Sequence, residues 1–193
     1  GALGCRPEQL FFTSCGTESD NWAIRAALRQ NRRVGKHIVA TAVEHSAVLQ
    51  CLKALEEEGY LVTRLKPDSR GRVTAAQVAE ALREDTALVT MMLVNNETGV
   101  RFPVEEVAAL LKDRPALLHT DAVQGFLEAP FTAKSLGADY ISLSAHKIGG
   151  PKGIGALYIG GRAKNAQPLL YGGGQERGLR PGTEATAQIA GFA

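Results

Sequence analysis

Along the chain, short apolar runs alternate with longer segments in which apolar positions recur every three or four residues. The runs QLFFT (9–13), HIVAT (37–41), YLVTRL (60–65), ALVTMMLV (87–94), ALLHT (116–120), YISLS (140–144) and GALYI (155–159) read as seven strands. They are too short for helices and rich in β-branched and aromatic residues. The run 87–94 is apolar almost throughout, as expected of a strand covered on both faces. Between the strands the spacing predicts helices. Trp22, Ile24, Ala27 and Leu28 share one side of 17–30. Val48, Leu49, Leu52 and Leu55 share one side of 46–58, which Gly59 closes. Thr74 opens a helix through Leu82, with Gln77 placed to complete a capping box. Residues 104–112 and the last stretch, TEATAQIAGFA, are also helical in pattern.

Strands alternating with helices of this length describe an α/β fold, a mostly parallel seven-stranded sheet with helices on both faces. No repeat, low-complexity stretch or linker interrupts the pattern, so residues 1–193 read as one domain. In such sheets ligands bind beyond the carboxyl ends of the strands. The residues that follow the strands are polar at 14–17, 44–45, 95–99, 121–124 and 144–147, and they carry the functional question.

Composition narrows the possibilities. With 45% hydrophobic and 22% charged residues the chain is neither disordered nor fibrous. A net charge of +2 leaves no footprint for nucleic acid or an anionic membrane. No apolar run reaches membrane-spanning length. Cys5, Cys15 and Cys51 are an odd set without CxxC spacing. They suggest neither a disulfide framework nor a zinc knuckle, no metal site is expected, and a reducing cytoplasm suits them. The chain starts without Met or a signal-peptide pattern and stops inside a helical stretch, so a piece of a longer protein is expected.

The strand ends supply a coherent set of groups. SAHK places Ser144, His146 and Lys147 directly after one strand. A partly desolvated Lys there becomes nucleophilic towards an aldehyde. HTDAVQ places Asp121 at another strand end, suited to a protonated pyridine nitrogen. Pyridoxal 5′-phosphate (PLP) needs both partners. SCGTES offers an anion cradle, where Gly16 admits the backbone and Thr17 adds a hydroxyl at a helix start. His45 is placed to stack on the ring, and Asn96 and Gln124 to bond its 3′-oxygen. The loop GGGQERGLRPGT carries Arg177, Arg180 and Thr183.

Taken in order, FTSCGTESDN, VEHSAV, NNETGV, HTDAVQ, SAHKIGGPKGIGALY and GGGQERGLRPGT resemble the large, PLP-binding domain of NifS-like cysteine desulfurases, within the class V aminotransferases. The strings run from residue 12 to residue 183, nearly the whole chain. The resemblance implies a fold-type-I PLP enzyme. In it Lys147 holds the cofactor aldehyde and moves protons, Asp121 pairs with the ring nitrogen, and His45 stacks on the ring. Gln124 and Asn96 would hold the 3′-oxygen. Thr17, Ser144 and His146 would bind the phosphate, with Gly16 beside them. Thr183 would reach the phosphate of a partner subunit, which implies a homodimer. The implied reaction takes sulfur from L-cysteine, releases L-alanine and leaves a persulfide for a sulfur-acceptor protein in iron–sulfur cluster or thiocofactor assembly.

The family's catalytic Cys and the Arg that grips the substrate carboxylate belong to a smaller C-terminal domain that has no counterpart here. The family's LDHAATT-like N-terminal string is also missing. None of the three cysteines takes the catalytic place, and the 193-residue chain alone is expected to be inactive as a desulfurase. RPGTE at 180–184, in place of RSGT, also fits a selenocysteine lyase or another β-eliminating lyase. A non-catalytic dimerisation or docking scaffold is the alternative of another class.

Plainer roles stand beside several of these residues. Asp121 also suits the start of a turn or helix at AVQGF, and His45 a helix cap. His146 could orient its neighbour, and the Asn pair could form a turn. His37 reads as a surface residue and His119 as a satisfied core histidine. Cys15 reads as a small half-buried residue. GPKGIG fits no phosphate-loop spacing and reads as a turn between strands. The runs 56–58 (Glu) and 32–33 (Arg) read as solvated faces.

Overall fold

The computed structural model describes residues 2–193. Its strands are β1 (Leu10–Thr13), β2 (His37–Thr41), β3 (Leu61–Leu65), β4 (Thr86–Thr90), β5 (Leu117–Asp121), β6 (Tyr140–Ser144) and β7 (Gly155–Ile159). They form a single sheet in the order β1-β7-β6-β5-β4-β2-β3. β3, β2, β4, β5 and β6 are parallel neighbours. β7 pairs antiparallel with both β6 and β1. The link 145–154 contains only a 3-10 turn at Ala145–Ile148, too little for a crossover to a parallel neighbour, so the chain folds back beside β6. GPKGIG, at 150–155, completes the reversal and leads into β7.

The side-chain alternation of each strand separates two cores. Ile38, Leu88, Leu117 and Tyr140 pack against α1 (Gly16–Gln30) and α2 (Ser46–Glu57). Val39, Val89, Leu118 and Ile141 face α3 (Ala75–Ala81), α4 (Val104–Leu111) and α5 (Ala133–Leu136). A last helix, α6 (Thr186–Phe192), closes the described chain. The capping box of α3 is formed: Gln77 N donates to Thr74 Oγ1 at 3.2 Å and Thr74 N to Gln77 Oε1 at 2.9 Å.

Several expectations need correction. β4 ends at Thr90, short of the predicted run to Val94. The extended chain nevertheless continues along β5, because Met91 N and Leu93 N donate to the carbonyls of His119 and Asp121 at 3.1 and 2.8 Å. The final helix starts at Thr186, leaving Thr183 in the preceding loop. α5 has four residues, too few to show a period; a Thr132–Ser135 capping box starts it and Gly137 at φ +70° ends it. His37 is fully buried, not on the surface. β2 lies between two strands that each present a threonine, and the His37 ring nitrogens bond Thr86 Oγ1 and Thr63 Oγ1, both at 2.8 Å. Burial lowers its pKa, so the imidazole sits there neutral. Glu56 and Glu58 do lie on the outer surface, paired with Arg64 and Arg25.

Candidate active site

A cavity of about 250 Å³ opens at the carboxyl ends of the parallel strands. Cys15, Gly16 and Thr17 reach it from the start of α1, and His45 from the start of α2. Asn96 comes from beyond β4, Asp121 and Gln124 from β5, and Ser144, His146 and Lys147 from β6. The strand ends singled out in the sequence therefore converge on one space. Thr183 is exposed and lies outside this lining.

The wall near Cys15 is formed by the start of α1. Cys15 caps α1 with extended backbone, and the first intrahelical bond runs from Ser19 N to Cys15 O at 3.2 Å. The amides of Gly16, Thr17 and Glu18 precede that bond, and the positive end of a fifteen-residue helix dipole lies here. Gly16 is required by space: a Cβ there would meet Val123 Cγ2 at 2.9 Å. Ser144 Oγ and His146 Nδ1 are 2.9 Å apart on the neighbouring strand end. This bond is the orienting role anticipated for His146.

His45 serves two purposes at once. Its Nδ1 accepts from Ala47 N at 3.1 Å, capping α2, and this fixes the ring beside the cavity. A neutral His45 then carries its proton on Nε2. The Asn95–Asn96 pair divides the work. Asn95 is buried, donates to Val43 O at 3.0 Å and accepts from Thr98 N at 2.9 Å. That turn leaves exposed Asn96 free at the cavity mouth.

Asp121 Oδ1 accepts from Val123 N at 2.9 Å, so the turn role holds alongside its place in the lining. Burial, helped by the nearby Asp20 carboxyl, pushes Asp121 up to about 7. Under it lies a polar layer facing α1. Neutral His119, pushed down to about 4 by burial, bonds Thr90 Oγ1 at 2.8 Å and Ser142 Oγ at 3.0 Å. It is the satisfied core histidine the sequence suggests. Gln124 Oε1 is buried without a hydrogen-bond partner, on a residue that lines the cavity.

One acid of the lining and one beside it were missed. Asp20 lies one turn after Gly16 and also lines the cavity. Its sequence signal is an acid on the stripe of α1 that carries Gly16, Ala23 and Ala27 into the core. Glu44, named only as a post-strand residue, is buried. It accepts from Thr41 Oγ1 at 2.6 Å and Met92 N at 3.0 Å. Burial raises it to about 8.

The family model for class-V aminotransferases matches residues 2–193. This chain belongs to the class-V aminotransferase family. Among curated members, the chain is 44% identical to "Cysteine desulfurase IscS" of Clostridium botulinum over 191 residues, 99% of this chain and 48% of that protein. It is 47% identical to "Putative cysteine desulfurase IscS 1" of Bacillus subtilis over 190 residues, 98% of this chain and 50% of that one. The chain thus spans about half the length of the curated family members it matches. Solved structures agree on the fold. A "NIFS-like protein" superposes with TM-score 0.93 at 42% identity, covering 99% of this chain and 53% of its own. "SspA in complex with cysteine" does so with TM-score 0.93 at 40% identity, covering 99% and 55%. The mixed seven-stranded sheet is therefore that of NifS-like class-V proteins. No helix among the described residues is long and apolar enough to cross a membrane.

Proposed function

We propose that residues 1–193 form the large, cofactor-binding domain of a PLP-dependent cysteine desulfurase. The observation that carries this is the meeting of Lys147, Asp121 and the Gly16–Thr17 helix start on one cavity, at three different strand or helix ends. The residues fit the group by three tests. A small-residue cradle at Gly16 leaves no room for a Cβ. A buried carboxyl at Asp121 suits a protonated ring nitrogen, and an unpaired acceptor at Gln124 suits a ring hydroxyl. Curated relatives named cysteine desulfurase, and a structural neighbour described in complex with cysteine, support the same substrate.

When bound, PLP supplies an aldehyde for amine capture and an electron-withdrawing ring. The chain's own groups do the rest. Thr17, Ser144 and His146, with the first amides of α1, hold the phosphate and so fix the ring's position. Asp121 keeps a proton on the ring nitrogen, His45 covers one ring face, and Asn96 and Gln124 hold the ring oxygen. Lys147 Nζ would hold the cofactor aldehyde and, as a free amine, could accept or return a proton at that place. A homodimer in which Thr183 serves the other subunit, L-cysteine as substrate, a sulfur-acceptor partner and a cytoplasmic location belong to the same proposal.

The test is borohydride reduction of the complete polypeptide incubated with PLP, followed by peptide mapping. A single pyridoxyl adduct on Lys147 is expected. Labelling scattered over many lysines, or none on Lys147, overturns the assignment.

A further inference from the structure

Beneath the cavity, the Asp20 carboxyl is 1% exposed and its Oδ1 has no hydrogen-bond partner. One oxygen of Asp20, one of Asp121 and a ring nitrogen of His45 lie within 4.8 Å of one another. An acid kept only for packing would have both oxygens satisfied. Here one is left open beside a second buried carboxyl, at the floor of the space where a ring nitrogen is placed by the reading above, on which this inference rests. Two carboxylates that close, away from water, do not both ionise readily.

We propose that Asp20 is a positioning residue: it and Asp121 hold one proton between them, so that a single negative charge, carried by Asp121, faces the cofactor ring. When the protonated ring nitrogen is seated against Asp121, the shared proton rests on Asp20. The surroundings favour this division. From β5, neutral His119 Nε2 lies 3.4 Å from Asp20 Oδ1 but is engaged by Ser142 Oγ at 3.0 Å, so His119 brings Asp20 no positive charge. From β6, the nearby Ser142 hydroxyl is neutral and lowers Asp20 less than burial raises it. From the loop after β2, Glu44 adds a third buried carboxyl, and from α2 comes the thiol of Cys51, raised to about 11 by burial. Of the basic residues of the lining, His45 brings a ring nitrogen within 4.8 Å of both carboxyls, and Lys147 is exposed. Asp20 itself is pushed up to about 7 by burial.

The test is PLP affinity across pH, in the complete polypeptide, for wild type and Asp20→Asn. Asn keeps the shape and an acceptor oxygen but is neutral at every pH. At low pH both proteins present one negative charge, and their Kd values should agree closely. As pH rises, the cofactor-free wild-type pair loses its shared proton and must take it up again on Asp20 to seat the ring, whereas D20N need not. The ratio of D20N Kd to wild-type Kd should then fall by up to about tenfold per pH unit, and a rising ratio, the mark of a doubly ionised bound pair, overturns the proposal. Titrations of free PLP cancel in the ratio. A ratio constant with pH overturns the proposal, since a packing role shifts affinity without changing its pH slope. If D20N does not fold, Asp121→Asn reads the same pair from the other side. Its cofactor-free form should be more stable than wild type at alkaline pH, and no gain there overturns the proposal. Failure of wild type to bind PLP at all overturns the cofactor assignment, and the inference with it; binding with an unchanged slope in D20N overturns the inference alone.

Discussion

Asp20, Glu44, His119 and Asp121 are buried ionisable groups in one layer between the sheet and the α1–α2 face, and none has a full-strength counter-charge. Burying unpaired charge is expensive, so each is displaced towards its neutral form. This makes the cofactor-free protein sensitive to pH in a definite direction. Glu44 is raised from 4.5 to about 8. A carboxyl raised in the folded state contributes fully below its unfolded value, and that contribution is lost as pH rises through the folded value. His119, lowered from 6.5 to about 4, acts oppositely: its contribution is present above 6.5 and lost as pH falls towards 4. Stability of the cofactor-free protein should therefore peak on the acid side of neutrality and decline through about pH 7 to 8. Glu44→Gln isolates one part of this. The amide oxygen can still accept from Thr41 and Met92 N, while the titration disappears. Urea midpoints measured over a pH series should show a shallower alkaline decline in the variant; an identical decline would mean that Glu44 ionises freely in the folded protein.

At the scale of elements, the site depends on how closely α1 and β7 approach the sheet around the cavity. Gly155 opens β7 opposite Thr13 of β1 and Ser144 of β6. A Cβ there would fall 2.7 Å from Cys15 C and from Leu143 O, both backbone atoms that have nowhere to go. Gly155→Ala should cost about 1–3 kcal/mol, the usual penalty for overpacking. Because Cys15 C leads into the first amides of α1, it should also weaken PLP retention, read by dialysis of the loaded protein. A variant with wild-type stability and retention would show that the strands can spread at no cost. Most of these elements were legible in the sequence, because seven apolar runs and the polar residues after them are local signals. What escaped is set by tertiary neighbours. His37 looked like a surface residue because nothing near it in sequence announces Thr63 and Thr86. The reversal of β7 depends on the shortness of a link, not on the pattern inside the strand. Asp20 was hidden because its importance comes from Asp121, which a different element brings beside it.

Over the whole molecule, the segment after β7 runs across the outer side of α1 and β1 and keeps Thr183 out of its own cavity. Trp22 Nε1 donates to Gln167 O at 2.7 Å and Arg29 to Pro168 O at 2.7 Å. Arg180 grips Glu18 through two bonds of 2.9 and 3.1 Å, and the Arg177 guanidinium lies 4.2 Å from the Phe11 ring centroid. The strap leaves Leu170 and Tyr171 exposed, Tyr171 at 78%. A well-anchored loop that exposes Leu170 and Tyr171 and carries a hydroxyl away from its own site is suited to a neighbouring copy, and a two-fold dimer would let each copy complete the other. Complementation tests this directly. Lys147→Ala and Thr183→Ala proteins should each retain cofactor poorly. In a mixed dimer, the site with wild-type Lys147 receives the wild-type Thr183 of the other copy, whereas the second site lacks both. Mixing the two variants under conditions of subunit exchange should therefore restore tight PLP binding to roughly half of the mixed dimers' sites, as expected for isologous exchange. If Thr183 acted within its own chain, no mixed site would hold both groups and binding would stay at the level of the separate variants.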